Sequence, residues 1–144
     1  KPMLPFNLIP ITPAYAKVLA KIHETCFDHP WTEKDFQELL ILPTTRGYVC
    51  DQGFILICVL PEAIEILTLG VVPDARRQGL GRHLIETIKK SFPKIPKIFL
   101  EVNATNAPAI ALYEQTGFKK TGVRKGYYRT PQGLQDALCY TWNR

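Results

Sequence analysis

The chain has 144 residues, 46% of them apolar, and a formal net charge of +5, which describes one domain (residues 1–144) with a core of its own and a leaning toward an anionic partner. Its four cysteines, Cys26, Cys50, Cys58 and Cys139, form no CxxC pair and its three histidines stand apart, an argument for buried reduced thiols and against a metal site. The first apolar run, MLPFNLIPI, holds two prolines and suits neither a secretory signal nor a membrane span, so a cytoplasmic protein is expected.

In chain order, TPAYAKVLAKIHETCF offers Thr12 as N-cap and Pro13 at the first helical position, with Val18, Leu19, Ile22 and Cys26 at helical spacing. HPWTEKDFQELL follows, where Thr32 can cap a short second helix that turns Phe36, Leu39 and Leu40 to one face before Pro43 breaks it. GYVCDQGFILICVL reads as two antiparallel strands around an Asp51-Gln52-Gly53 turn, and AIEILTLGVV as a central strand, apolar on both faces toward its end. A third helix begins in the glycines at 79 and 81 and carries Leu80, Leu84, Ile85 and Ile88 inward, ending near Phe92 and Pro93. KIFLEV is a short buried strand, and NAPAIALYEQTGF a helix with Asn106 as N-cap and Gly117 as its stop. Two strands close the chain: GFKKTGVRKGYY, broken or bulged at Gly122, and DALCYTW, with Pro131-Gln132-Gly133 turning between them. The order predicts an α/β domain with a mixed sheet.

Between the central strand and the third helix lies VVPDARRQGLGRHL. A strand feeding a helix through glycines presents unpaired backbone N–H groups to an anion, with the helix dipole behind them. Gly79 and Gly81 lack the Cβ atoms that would hold a phosphate away, while Arg76, Arg77 and Arg82 can add charge-assisted hydrogen bonds. A Walker A string is absent, and a GxGxxG fingerprint fails because Leu84 stands where its third glycine belongs. A solvated basic turn capping a helix is the plain alternative. Nucleic-acid binding is a minor reading, since no aromatic-basic alternation accompanies the charge.

The run Arg76-Arg77-Gln78-Gly79-Leu80-Gly81, set between a strand and an amphipathic helix, resembles the acetyl-CoA pyrophosphate loop of the GNAT N-acetyltransferases. LEVNATNAPAIALYEQTGF, downstream, resembles the second half of the same fold, and HPWTEKDF with the later GYY and DAL looks like the RimI branch, the ribosomal-protein-alanine N-acetyltransferases. The resemblance implies a GNAT fold, α/β with a mixed, mostly antiparallel central sheet flanked by helices. It also implies acetyl-CoA as cosubstrate, no metal, and transfer of acetyl to a protein N-terminus, that of a small-subunit ribosomal protein, with neither membrane nor nucleic acid as partner. Arg76, Arg77, Gln78, Gly79, Leu80, Gly81 and Arg82 would cradle the pyrophosphate, the edge at Leu69, Gly70 and Val71 would bond pantetheine, and Asn106 would add a side-chain contact. Ala75, Thr68 and Gly70 depart from the pattern common among relatives, which leaves the acceptor open.

Acetyl transfer to an amine needs a base for the amine, a donor for the oxygen that gains charge and an acid for the departing thiolate. Glu101 interrupts the apolar run IFLEV; from spacing alone a cross-sheet ion pair and a base serve equally, and the resemblance assigns the base. Glu65 on the preceding strand is the alternative. Tyr113, on the fourth helix, either packs its ring beneath the sheet or gives a proton to the thiolate and touches the cofactor; the resemblance assigns the acid. Val71 is the expected oxyanion donor. Trp31, Tyr127 and Tyr128 are candidates to wall the acceptor, and packing explains any one of them equally well. The rival functions are a GNAT enzyme acting on a small amine or a lysine side chain, and a noncatalytic CoA-binding module.

Overall fold

Hydrophobic alternation and helical periodicity resolve into strands β1 (Ile9–Pro10), β2 (Thr45–Cys50), β3 (Gly53–Val59), β4 (Ile64–Val71), β5 (Lys97–Asn103), β6 (Lys119–Thr130) and β7 (Gly133–Asn143). The helices are α1 (Ala16–Cys26), α2 (Glu33–Leu40), α3 (Leu80–Ser91) and α4 (Ala107–Gln115). The computed structural model describes residues 6–144, and the beginning of the first apolar run, residues 3–5, lies outside the described residues. No helix among the described residues is long and apolar enough to cross a membrane.

One sheet runs in the order β1-β2-β3-β4-β5-β7-β6. Every neighbouring pair is antiparallel except β4 and β5. The parallel pair follows from its connection: α3 is the crossover that returns the chain to the same edge of the sheet. α3 and α4 cover one face, where Leu80, Leu84, Ile85 and Ile88 pack on Ile55, Ile57, Ile64, Ile98 and Leu100. α1 and α2 cover the other face of β2, β3 and β4 through Leu19, Phe36, Phe54 and Leu56. Each fully buried side chain of this size contributes about 1.5–3 kcal/mol, and the two layers together hold the sheet between them.

Two local readings are corrected, and one strand carries no signal in the sequence. Thr12 makes no side-chain cap; Pro13–Tyr15 form a 3₁₀ turn and α1 begins only at Ala16. β1 has no signal of its own, being two residues that include a proline. All four cysteines are free, as expected, but half-buried instead of buried.

Candidate active site

β4 and β5 pair only at Ile64↔Ile98 and Glu65↔Phe99. Beyond that point the two strands splay, leaving two facing edges of main chain at the centre of the sheet. A bulge sits beside the opening: Ile66 pairs with Ile57 and Thr68 with Leu56, so Leu67 is the extra residue on β4. A one-residue insertion reverses the side-chain alternation. Ile64 and Ile66 pack under α3 and α4 before it, and Leu69 and Val71 pack there after it. The apolar character of both faces in this strand is therefore a consequence of the bulge as much as of a central position.

After β4 a 3₁₀ turn, Pro73–Ala75, leads into the glycine loop. Arg77 and Gly79 adopt left-handed backbone, at φ 65° and 85°, folding the loop back over the start of α3. His83 N–H bonds to Gly79 O at 2.9 Å, so the N–H groups of Leu80, Gly81 and Arg82 precede the first bond of the helix and point outward. Arg76 Nε donates to Val71 O at 2.9 Å and Gln78 Nε2 to Asp74 O at 3.2 Å, which brace the loop. Arg82 Nη2 reaches Gln115 O at the end of α4, 3.2 Å away. A Cβ at Gly81 would lie 2.8 Å from Leu112 Cδ2, the tip of a flexible side chain, so this glycine also eases the approach of α3 to α4. The loop turns in left-handed backbone at Gly79 and leaves these N–H groups unpaired at the start of α3.

Register places Glu65, Phe99, Glu101 and Cys139 on one face of the sheet, the face that α1 and α2 cover only as far as β4. Phe99, Glu101 and Asn103 are accordingly half-exposed while Ile98, Leu100 and Val102, facing α3 and α4, are buried. Glu101 forms an ion pair with Arg124 Nε on β6, and Cys139 Sγ donates to its Oε2 at 3.7 Å. Partial burial, with the charge of Glu101 beside it, raises the Glu65 carboxyl above the usual range.

Tyr113 belongs to the opposite face. Its ring is buried, edge-on to Phe118 at a centroid distance of 5.6 Å. No fully buried side-chain oxygen or nitrogen among the described residues lacks a partner. Burial, and then the neighbouring Tyr128 phenol, push the proton affinity of Tyr113 well above that of a free tyrosine, which keeps it protonated at neutral pH. α4 is held in place by Asn106 Oδ1, which accepts from Ala109 N–H at 3.2 Å, and by Tyr140 Oη, which donates to Glu114 at 2.7 Å. Lys89 Nζ donates to Thr116 O at 2.6 Å just beyond its end.

β6 has two bulges, one between Lys120 and Gly122, where the sequence places a break, and one after Arg124 that carries Tyr127 and Tyr128. Between the pairs Arg124↔Ala137 and Tyr128↔Gln135, β6 spends four steps against two on β7. Gly126, with a left-handed φ of 60°, donates its N–H to Asp136 Oδ1 at 2.8 Å and pins the bulge. Burial and then the charge of Glu101 raise the Tyr128 phenol. Trp31 is not part of this group: its ring stacks on His23 at 5.1 Å and leans on Phe36 at 5.5 Å, in the corner between α1 and α2. Sequence reasoning missed Arg124 and Cys139 as neighbours of Glu101. Arg124 was visible only as one of a basic cluster, and no local signal ties either residue to a carboxylate on another strand.

A bulged central strand, a split parallel pair, an anion loop at the start of α3 and polar groups on both sides of the split recur in known proteins. Residues 16–118 match the model of the Acetyltransferase (GNAT) family. The chain is 37% identical over 124 residues to the [Ribosomal protein bS18]-alanine N-acetyltransferase of Escherichia coli strain K12, covering 81% of this chain and 83% of the relative. It is 29% identical over 151 residues to N-alpha-acetyltransferase RimI of Mycobacterium tuberculosis, covering 97% and 92%. The crystal structure of the ribosomal-protein-S18-alanine N-acetyltransferase from Escherichia coli superposes with a TM-score of 0.86 at 28% identity, covering 95% of this chain and 92% of that one. The chain therefore belongs to the GNAT family of acetyltransferases, as an N-acetyltransferase of RimI type with acetyl-CoA as its cosubstrate.

Proposed function

We propose that this enzyme acetylates the α-amine of an N-terminal alanine, and that its acceptor is ribosomal protein bS18, the substrate named for its Escherichia coli relative. The observation that carries the reading is the split between β4 and β5, with Glu101 on one face of the sheet and Tyr113, packed in the layer of α3 and α4, on the other. Acetyl-CoA supplies the acetyl group as a thioester. The residues fit it: the N–H groups of Leu80, Gly81 and Arg82, with Gly79, Arg76, Arg77 and Gln78, suit a pyrophosphate, and Arg82 has donors left beyond its bond to Gln115. The free edge at Leu69, Gly70 and Val71 suits peptide-like pantetheine, with Val71 N–H the expected oxyanion donor. Asn106 keeps its side-chain N–H₂ for the same ligand, since only its oxygen is used by the cap.

Glu101 takes the proton that the amine nitrogen sheds as the new C–N bond forms, and Tyr113 protonates the sulfur as the C–S bond breaks. Tyr127 and Tyr128, on the pinned bulge, wall the acceptor beside Glu101; Trp31 acts by fixing the α1–α2 corner. The whole chain works as one catalytic domain, in the cytoplasm where a ribosomal protein is met.

Mass spectrometry of an alanine-initiated bS18 peptide incubated with acetyl-CoA tests the acceptor: acetyl on the α-nitrogen is expected, and acetyl on lysine alone defeats the reading. Glu101→Gln and Tyr113→Phe should each lower kcat by about 10²–10⁴-fold with acetyl-CoA binding kept. If Glu101→Gln retains its rate and Glu65→Gln loses it, the base is Glu65, whose raised proton affinity makes it the second reading.

A further inference from the structure

Glu101 does not face the cleft as a bare carboxylate, because Arg124 sits on it. The Arg124 side chain is 61% exposed against 22% for Glu101, and an ion pair this open adds little to stability. Its placement is nonetheless built. The β6 bulge is pinned through Gly126 and Asp136 immediately after Arg124, and the guanidinium lies 5.7 Å from the centroid of the Tyr127 ring. The other titratable groups around the pair are Cys139 from β7, Glu65 from β4, Tyr127 and Tyr128 from β6, and Tyr113 of α4 beyond Tyr128. Arg124 is the cation of this group.

We propose that Arg124 is a positioning residue acting through Glu101: parked on that carboxylate, its guanidinium admits the acceptor as a neutral amine and turns a second cation away. The inference rests on the reading of Glu101 as the base. An arriving ammonium leaves one proton to solvent as it enters; the nitrogen then forms its bond to the acetyl carbon and gives its next proton to Glu101. An α-amine, with a pKa of about 8, meets the first demand near neutral pH, whereas a lysine side chain at about 10.4 meets it over two pH units less readily. A guanidinium a few ångströms from the bound nitrogen, in a half-exposed site, lowers its proton affinity by about one pH unit. The shift applies to any amine bound there, so Arg124 brings an α-amine into its neutral form near neutral pH, while the intrinsic gap between the two pKa values still leaves a lysine the poorer acceptor.

The test is the pH dependence of kcat and KM for an alanine-initiated peptide, measured on the full chain and on Arg124→Gln, Arg124→Lys and, as a control in the same bulge, Lys125→Gln. In Arg124→Gln the acidic limb of kcat should move up by about one pH unit, and at about pH 6.5 KM should fall together with kcat, because the ammonium now settles unproductively on the freed carboxylate. Arg124→Lys and Lys125→Gln should keep the parent midpoint. A midpoint unmoved in Arg124→Gln overturns the proposal, as does an equal movement in Arg124→Gln and Arg124→Lys. If Arg124→Gln fails to fold, the unsubstituted enzyme decides: raising salt from about 0.05 to about 0.5 M should move its midpoint upward, and an unmoved midpoint overturns the proposal. Glu101→Gln at full kcat would remove the base reading itself, whereas an inactive Glu101→Gln beside an unmoved Arg124→Gln removes only the role of Arg124.

Discussion

The two sides of the cleft are built differently. On the proposed cofactor side most bracing bonds are local: Arg76 to Val71, Gln78 to Asp74 and His83 to Gly79 each span four or five residues, and Arg82 to Gln115, across 33, is the long one. On the proposed acceptor side Gly126 bonds to Asp136 ten residues away, Arg124 pairs with Glu101 from another strand, and Cys139 bonds to Glu101 across 38. The first site is a strand, a turn and a helix start in one stretch, so it forms wherever that stretch folds. The second exists only after the sheet has adopted the order β5-β7-β6. A family sharing the first can therefore vary its acceptor by changing bulges and strand partners without disturbing the cofactor loop.

The division can be broken most severely at Phe36, which is fully buried and edge-on to Phe54 at 5.9 Å and to His23 at 5.5 Å. Phe36→Ala removes the centre of the α1–α2 layer and should cost about 3–5 kcal/mol in chemical denaturation. In the fraction that remains folded, KM for the peptide should rise while acetyl-CoA affinity, read by calorimetry, stays within about twofold of the parent, since α1 and α2 flank the acceptor side. Equal losses in both would mean that the two sides are one mechanical unit.

Acid should sharpen the same contrast. His23 is buried in that corner, stacked on Phe27 at 4.2 Å, and its Nδ1 accepts the Trp31 N–H at 3.0 Å. Burial lowers its pKa from 6.5 to about 4. The unfolded chain therefore takes up a proton that the native state refuses, so this contribution is complete above about pH 6.5 and is lost as pH falls through 6.5 toward 4. The loss should reach at most about 3 kcal/mol in urea titrations, and His23→Gln should flatten the pH dependence in that window. A parent whose stability is constant from pH 6.5 to 4 would contradict a neutral His23.

How much of this was legible follows from the same division. Residues 71–84 announced an anion loop because glycines, arginines and a helix start are adjacent, and Asn106 announced its cap by position; both are local chemistry. Even there the proximity of Gly81 to Leu112 was hidden, since that neighbour in space lies on another helix. Glu101 stood out as a charge in an apolar strand, but the choice between base and ion pair was unreadable because Arg124 reaches it only across β7 and after a bulge. The reversal of alternation at Leu67 was likewise hidden, because a bulge is fixed by the partner strand and not by the residue that forms it. Trp31 shows the converse: packing suited it as well as an acceptor wall from the start, and its ring stacks on His23, a neighbour that no local signal named.

The smallest effect separates two threonines that look alike in sequence. Each precedes a helix in the α1–α2 layer, but Thr32 closes a capping box, its Oγ1 accepting Asp35 N–H at 3.1 Å while Asp35 Oδ2 accepts Thr32 N–H at 2.8 Å. Thr12 makes no such bond, because Pro13 opens a 3₁₀ turn instead of an α-helix. Thr32→Ala should therefore cost about 1 kcal/mol and Thr12→Ala less than about 0.5 kcal/mol. Thermal denaturation of the two variants side by side checks the ordering. Equal losses would mean that Thr32 stabilises α2 through its β-branched packing and not through its cap. The acceptor flank would then depend on burial alone, as the Phe36 corner does.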